Sequence, residues 1–128
     1  VTEFVVLDAS AFLCLLGAEP GADAVAAALP HAAISAVNLA EVVAKLRERG
    51  LSADEIRAAL AGLSLDVRPF TTEQAYAAGD LRPATRALGL SLGDRACLAL
   101  ARELDAPALT ADRQWLGLKL GIDIRVVR

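Results

Sequence analysis

The apolar residues of this chain fall into short blocks whose spacing alternates between strand-like and helix-like patterns. The opening run Glu3-Phe4-Val5-Val6-Leu7-Asp8 is too brief for a helix, suits a fully buried strand, and stops at a carboxylate. Residues 10–16 and 21–29 read as two short helices, separated by Glu19-Pro20-Gly21 and closed by Pro30. Residues 32–35 form a minimal second strand. Ser35 is placed to cap a helix running to residue 49, where Gly50 offers the positive φ that helix C-termini favour. Ser52 caps another helix to about residue 63, with Asp54 and Glu55 in its first turn. A third strand covers 65–70. Thr72 opens a longer helix to residue 88, kinked at Pro83 and ended by Gly89. A helix starting at Gly93-Asp94 and ending near Leu104, a buried strand Ala108-Leu109-Thr110, a short helix over 113–120 and a last strand over 122–127 complete the chain.

Strands alternating with helices imply a parallel sheet covered on both faces, an α/β fold built as a three-layer α/β/α sandwich of about five strands. No repeat, linker or low-complexity tract interrupts it, and the 128 residues are read as a single domain spanning 1–128. In such sheets ligands sit beyond the carboxyl ends of the strands, near the point where strand order reverses. Acids placed immediately after strands therefore carry the search for chemistry.

Asp8 directly follows the first strand and Asp112 follows the strand holding Leu109 and Thr110, so both belong to one rim of the sheet. Asp94 shares a helical stripe with Cys97, Leu98, Ala101 and Leu104, which turns its carboxylate toward the apolar side. A charge facing inward among other anions has a raised pKa unless a cation, hydrogen bonds or a proton compensates it. Plainer readings stand beside these. Asp8, Asp94 and Asp112 are each placed to cap a helix, and Glu41 lies on a polar stripe with Asn38, Lys45 and Glu48 where it could pair with Lys45.

Composition narrows the chemistry. Hydrophobic residues make up 55% of the chain and aromatics only 4%, so the core must consist of many small contacts. No stretch reaches the roughly 20 apolar residues of a membrane span, and the N-terminus lacks the features of a signal peptide, which sets the expected location as the cytoplasm. Cys14, Cys97 and the lone His31 have no zinc-type spacing, and the two cysteines are expected to be buried hydrophobes. A net charge of -3 argues against a polyanionic partner. Against that, only Lys45 and Lys119 among the 13 basic residues are lysines, and arginine grips phosphate with a planar fork.

Four segments, in order and spacing, resemble the PIN domain, and more closely the VapC toxins of toxin–antitoxin pairs. They are Val6-Leu7-Asp8-Ala9-Ser10-Ala11; Ile34-Ser35 followed six residues later by Glu41 within Leu39-Ala40-Glu41-Val42; Gly89-Leu90-Ser91-Leu92-Gly93-Asp94 leading into 96–101; and Leu109-Thr110-Ala111-Asp112 ahead of Trp115. The resemblance runs through nearly the whole chain. It implies that Asp8, Glu41 and Asp94 are the core metal-binding and catalytic acids, Asp112 the more variable fourth, and Ser10 and Thr110 polar supports. It also shifts Glu41 from an undecided surface charge to a site residue.

The activity implied is a Mg2+- or Mn2+-dependent endoribonuclease, with one or two ions, that cleaves RNA phosphodiester bonds as the toxin of such a pair. The metal then supplies positive charge at the reacting phosphate, which answers the objection from net charge, and Arg82, Arg86, Arg95 and Arg113 are candidates to position the strand. With so few aromatics, base stacking cannot dominate RNA recognition. A homodimer is implied, as is an antitoxin protein whose segment packs on an apolar groove among the helices between Ala22 and Leu63 and can place an arginine among the acids. Two rivals remain. A phosphoacceptor receiver domain would want paired acids after the first strand and a lysine after a late one, and neither lysine is so placed. A catalytically silent module of PIN fold, binding RNA or protein, would show a gap among Asp8, Glu41 and Asp94, and all three are present.

Overall fold

The computed structural model describes residues 3–128. Its elements are β1 (Val5–Leu7), α1 (Ala9–Leu16), α2 (Ala22–Ala28), β2 (Ala32–Ser35), α3 (Ala36–Glu48), α4 (Ala53–Ala61), β3 (Asp66–Arg68), α5 (Thr72–Asp80), α6 (Arg82–Thr85), α7 (Leu92–Leu104), β4 (Ala108–Thr110) and β5 (Ile124–Val126), with 3-10 turns at Leu29–His31, Arg86–Leu88 and Arg113–Gly117. The five strands pair in the order β3-β2-β1-β4-β5, every pairing parallel. The chain winds outward from β1 through β2 to β3, then crosses to β4 on the other side of β1. Strand order thus reverses between β1 and β4, and the crevice at their carboxyl ends is where such sheets take ligands.

Side-chain alternation sorts the core into two layers. Val6, Ala33 and Ala108 face one way, onto Ala78 of α5, Cys97, Leu98 and Ala101 of α7, and Trp115. Val5, Leu7, Ile34 and Leu109 face the other way, onto Phe12, Val25, Val42, Leu46 and Ile56 from α1 to α4. The expected three-layer sandwich is therefore the observed one. Both cysteines are buried. No helix among the described residues is long and apolar enough to cross a membrane.

Most expected elements appear, shortened at the ends. Gly50 and Gly89 take the positive φ their positions call for, 98° and 64°. The single kinked helix over 72–88 is instead three pieces, because Pro83 has no N–H to donate and its ring crowds the carbonyl four residues back, at Gly79; α5 ends at Asp80 and the chain restarts at Arg82. The last helix is a 3-10 turn of five residues. The helix expected from Gly93-Asp94 begins one residue earlier, at Leu92, because Ser91 provides its cap.

Candidate functional site

Because each βα junction places a helix N-cap directly beyond a strand, the carboxyl edge of the sheet collects capping acids. Asp8 is the N-cap of α1: Oδ1 accepts from the Ala11 amide at 2.7 Å and from the Ser10 hydroxyl at 2.8 Å. Its Oδ2 accepts from the Thr110 hydroxyl of the neighbouring strand at 2.6 Å. Only 3% of Asp8 is exposed. Burial pushes its carboxyl up to about 6; the bonds from Thr110, Ala11 and Ser10 hold it down, and the charge of Asp94 adds to the rise. Ser10 and Thr110, expected as polar supports, do more than touch Asp8. Ser10 Oγ accepts from the Ala111 amide at 2.9 Å and Thr110 Oγ1 from the Asp112 amide at 3.1 Å, which ties the β1 and β4 exits together.

Asp94 is the third residue of α7 and closes a capping box: Ser91 N donates to its Oδ2 at 2.9 Å, while its own amide donates to Ser91 Oγ at 3.2 Å. It is half-buried, with Cys97, Leu98 and Ala101 of its stripe fully inside. Glu41 lies in the second turn of α3. It does not pair with Lys45, which turns to Glu48 at 3.6 Å. Its Oε1 instead accepts from Asn38 Nδ2 at 2.9 Å, and its carboxylate lies against Gly93 so closely that a Cβ there would collide with both oxygens. Desolvation raises the Glu41 pKa, the Asn38 bond lowers it and the charge of Asp94 raises it. Asp112 caps the 3-10 turn through the Gln114 amide, 2.9 Å away, and is exposed.

Cys97 registers the convergence. Its thiol is pushed well up, first by burial and then by the charges of Asp8, Asp94 and Glu41 together. The charges of Asp8, Asp94 and Glu41 all bear on Cys97, Glu41 lies against Gly93 beside Asp94, and Asp112 follows β4 on the same rim as Asp8.

Among the described residues no three acid, histidine or cysteine side chains are drawn together tightly enough to form a closed set of metal ligands. The donor chemistry nevertheless fits a hard divalent cation, which takes carboxylate oxygens and retains waters. Burial is the main cause that raises the Asp8 and Glu41 carboxyls, and the charge of Asp94 adds a smaller part to each, so a cation bound here would offset a cost that the fold itself imposes. Asp8, Glu41, Asp94 and Asp112 are the residues that could hold it.

The arginine candidates divide. Arg82 and Arg86 are exposed, Arg82 reaching the Leu90 carbonyl at 3.4 Å. Arg95 is half-buried and donates to the Ala78 carbonyl at 2.9 Å, and Arg113 donates to the Arg128 carbonyl at 2.7 Å, so both have a place in the fold. Two residues at the site escaped the sequence reading. Asn38 is 1% exposed and donates through Nδ2 to Glu41 and to the Gly93 carbonyl, each at 2.9 Å. Gly93 is buried where α7 meets α3. The signals available were an amide three residues before Glu41 and a glycine in a helical first turn, where glycine costs about 1 kcal/mol relative to alanine.

An all-parallel sheet between helical layers, with acids at its switch point, defines an α/β protein with an acidic carboxyl edge. The PIN domain matches residues 5–119, and the chain belongs to that family. In fold it is similar to a toxin-antitoxin complex from Klebsiella pneumoniae, with a TM-score of 0.76 at 20% identity over 97% of this chain and 98% of that one. It is also similar to VapBC2 from Rickettsia felis bound to a DNA fragment from its promoter, with a TM-score of 0.74 at 14% identity over 96% and 98% of the two chains. VapBC-5 of Mycobacterium tuberculosis gives a TM-score of 0.60 at 22% identity over 100% and 99%. No curated protein sequence matches the chain.

Proposed function

We propose that this chain is a metal-dependent endoribonuclease that cleaves RNA phosphodiester bonds as the toxin of a toxin–antitoxin pair. The observation carrying the proposal is the placement of the acids at the β1/β4 switch point, where Asp8 at the end of β1 accepts from Thr110 of β4 and Glu41 lies against Gly93, next to Asp94. Family membership supports the nuclease class, and the neighbours named as toxin-antitoxin complexes support the toxin role.

Asp8 and Asp94 would hold the principal ion, Mg2+ or Mn2+. Asp8 is fixed in direction by the donors Ala11, Ser10 and Thr110; Asp94 commits one oxygen to the Ser91 cap and keeps the other. Glu41 would bind the same ion through water or orient the attacking water, and Asp112, exposed on the rim, would favour a second ion. A cation held there would supply positive charge at the scissile phosphate and a more acidic bound water. The exposed Arg82, Arg86 and Arg113 then contact the RNA backbone, with the half-buried Arg95 less free to do so.

Partner binding has a place in the fold. A groove of about 640 Å³ lies between α3, α4 and β3, lined by Leu39, Val43, Ile56, Leu60, Leu65 and Val67. An antitoxin segment with an apolar face suits it, and the toxin is expected to act as a homodimer.

The test is cleavage of mixed RNA by the purified, partner-free chain with Mn2+ or Mg2+, repeated with chelator and with Asp94→Asn. Metal-dependent cutting lost in the variant is expected. The amide oxygen of the introduced asparagine can still accept from Ser91 N, so stability should fall by no more than about 1 kcal/mol, read by urea unfolding. Chelator-resistant cutting, or an active variant, would refute the assignment. Binding of RNA without cutting by the folded wild type would favour the silent module.

A further inference from the structure

Of the three convergent acids, Glu41 alone is not held by a helix cap. It projects from the second turn of α3 on a side chain with three rotatable bonds, and nothing in α3 itself except Asn38 limits where its carboxylate goes. Two features from outside the acid set confine it. Asn38, buried between α3 and α7, donates one amide hydrogen to Glu41 Oε1 and the other to the Gly93 carbonyl. Both partners are acceptors, so the amide can face them only with its NH2 group, and its orientation is fixed. That orientation leaves Asn38 Oδ1 buried without a partner, a cost that an apolar contact between the helices would not carry. Gly93, for its part, opens the space into which the carboxylate settles.

We infer that Asn38 and Gly93 form a seat that positions Glu41 for metal binding. Asn38 supplies direction through its amide, and Gly93 supplies room through its missing Cβ. Both are positioning residues, since both act through Glu41. The inference rests on Glu41 being a metal-site residue.

Gly93→Ala provides a variant that spares the fold. The obstructing group is the far end of a flexible side chain, so the new methyl should push Glu41 aside while alanine suits the helix better than glycine. Asn38→Ala removes the directing bond. The experiment titrates Mn2+ into the wild-type chain, Asn38→Ala, Gly93→Ala, Glu41→Ala and the double variants with Glu41→Ala, and also measures urea unfolding of all of them in chelator. Loss of an orienting partner typically weakens metal affinity by about tenfold to a hundredfold. Each single variant should fall in that range, and neither Asn38→Ala nor Gly93→Ala should weaken Mn2+ binding further once Glu41 is alanine. In chelator, Gly93→Ala should stabilise the Glu41→Ala chain more than it stabilises the wild type, because the collision is gone. Equal effects of Asn38→Ala and Gly93→Ala with and without Glu41, or no effect on Mn2+ in the wild type, would overturn the seat while leaving Glu41 in the site. Unchanged Mn2+ affinity in Glu41→Ala would overturn the assignment of Glu41, and the seat with it.

Discussion

Replacing Asp8 with asparagine should make the metal-free chain more stable near neutral pH while abolishing metal-dependent cleavage. Asp8 is almost fully buried and its carboxyl is raised from 3.8 to about 6. Near pH 7.5 it is charged in both folded and unfolded chains, and at about 1.4 kcal/mol per tenfold change in proton affinity the folded state carries a penalty of about 3 kcal/mol. Asparagine removes that charge and keeps an oxygen for Ala11 N and Ser10. Its amide hydrogens, however, face the Thr110 hydroxyl, which has to rotate and cannot keep its 2.6 Å bond unchanged. Setting about 1 kcal/mol against that adjustment leaves a net gain of about 2 kcal/mol.

The pH dependence follows from the direction of the shift. A folded-state pKa above the unfolded value means that the folded chain binds the proton more tightly. The contribution of Asp8 to stability is therefore complete below about pH 4 and is lost as pH rises through about 6. Urea unfolding in chelator should show the Asn variant ahead by roughly 1 M in midpoint near neutral pH, for a slope of about 2 kcal/mol/M. The advantage should vanish near pH 4. On the proposed function, saturating Mg2+ or Mn2+ should stabilise the wild type by binding its folded state, and narrow or reverse the gap. A variant less stable than wild type by the same margin at both pH values would refute the reasoning, because the hydrogen bonds to Asp8 would then outweigh the burial of its charge.

Thr110→Val removes the shortest bond to Asp8 and the acceptor for the Asp112 amide, and should destabilise the chain by about 1–3 kcal/mol in urea unfolding. The same change should move the Asp8 carboxyl above about 6, visible as a shift to higher pH in its NMR titration. Asp112→Ser keeps an N-cap of comparable quality and deletes the charge, so thermal stability should hold to within about 0.5 kcal/mol while the dependence of cleavage on metal concentration moves to higher concentration.

The strand and helix order was legible because each βα unit writes its own punctuation. Ser35, Ser52 and Thr71 all cap the helices that follow them, and Val5, Val6 and Leu7 mark a strand covered on both faces. The break near Pro83 was misplaced because a proline announces that a helix is disturbed but not whether neighbouring packing will bridge the gap. The site was legible in part. Asp8 and Asp112 follow strands, and a strand end in a parallel sheet has a fixed address. Asn38 and Gly93 were not legible, since their roles depend on α3 meeting α7, which brings together two residues 55 positions apart in the chain.

The capping reading holds for three of the acids, and it is compatible with the proposed site chemistry. Asp8 caps α1, Asp94 closes the capping box of α7 and Asp112 caps the 3-10 turn, so three of the four acids owe their direction to backbone amides. The arrangement has an electrostatic consequence. The partial positive charge at the starts of α1 and α7 lies beside Asp8 and Asp94 and offsets part of the repulsion between them. Burial nonetheless raises the Asp8 carboxyl to about 6, and the charge of Asp94 adds a smaller part. Glu41 receives no such help from a helix start, and its place depends on a buried amide and a missing methyl group. The acid least evident from the sequence is therefore also the one whose geometry rests on residues outside the acid set.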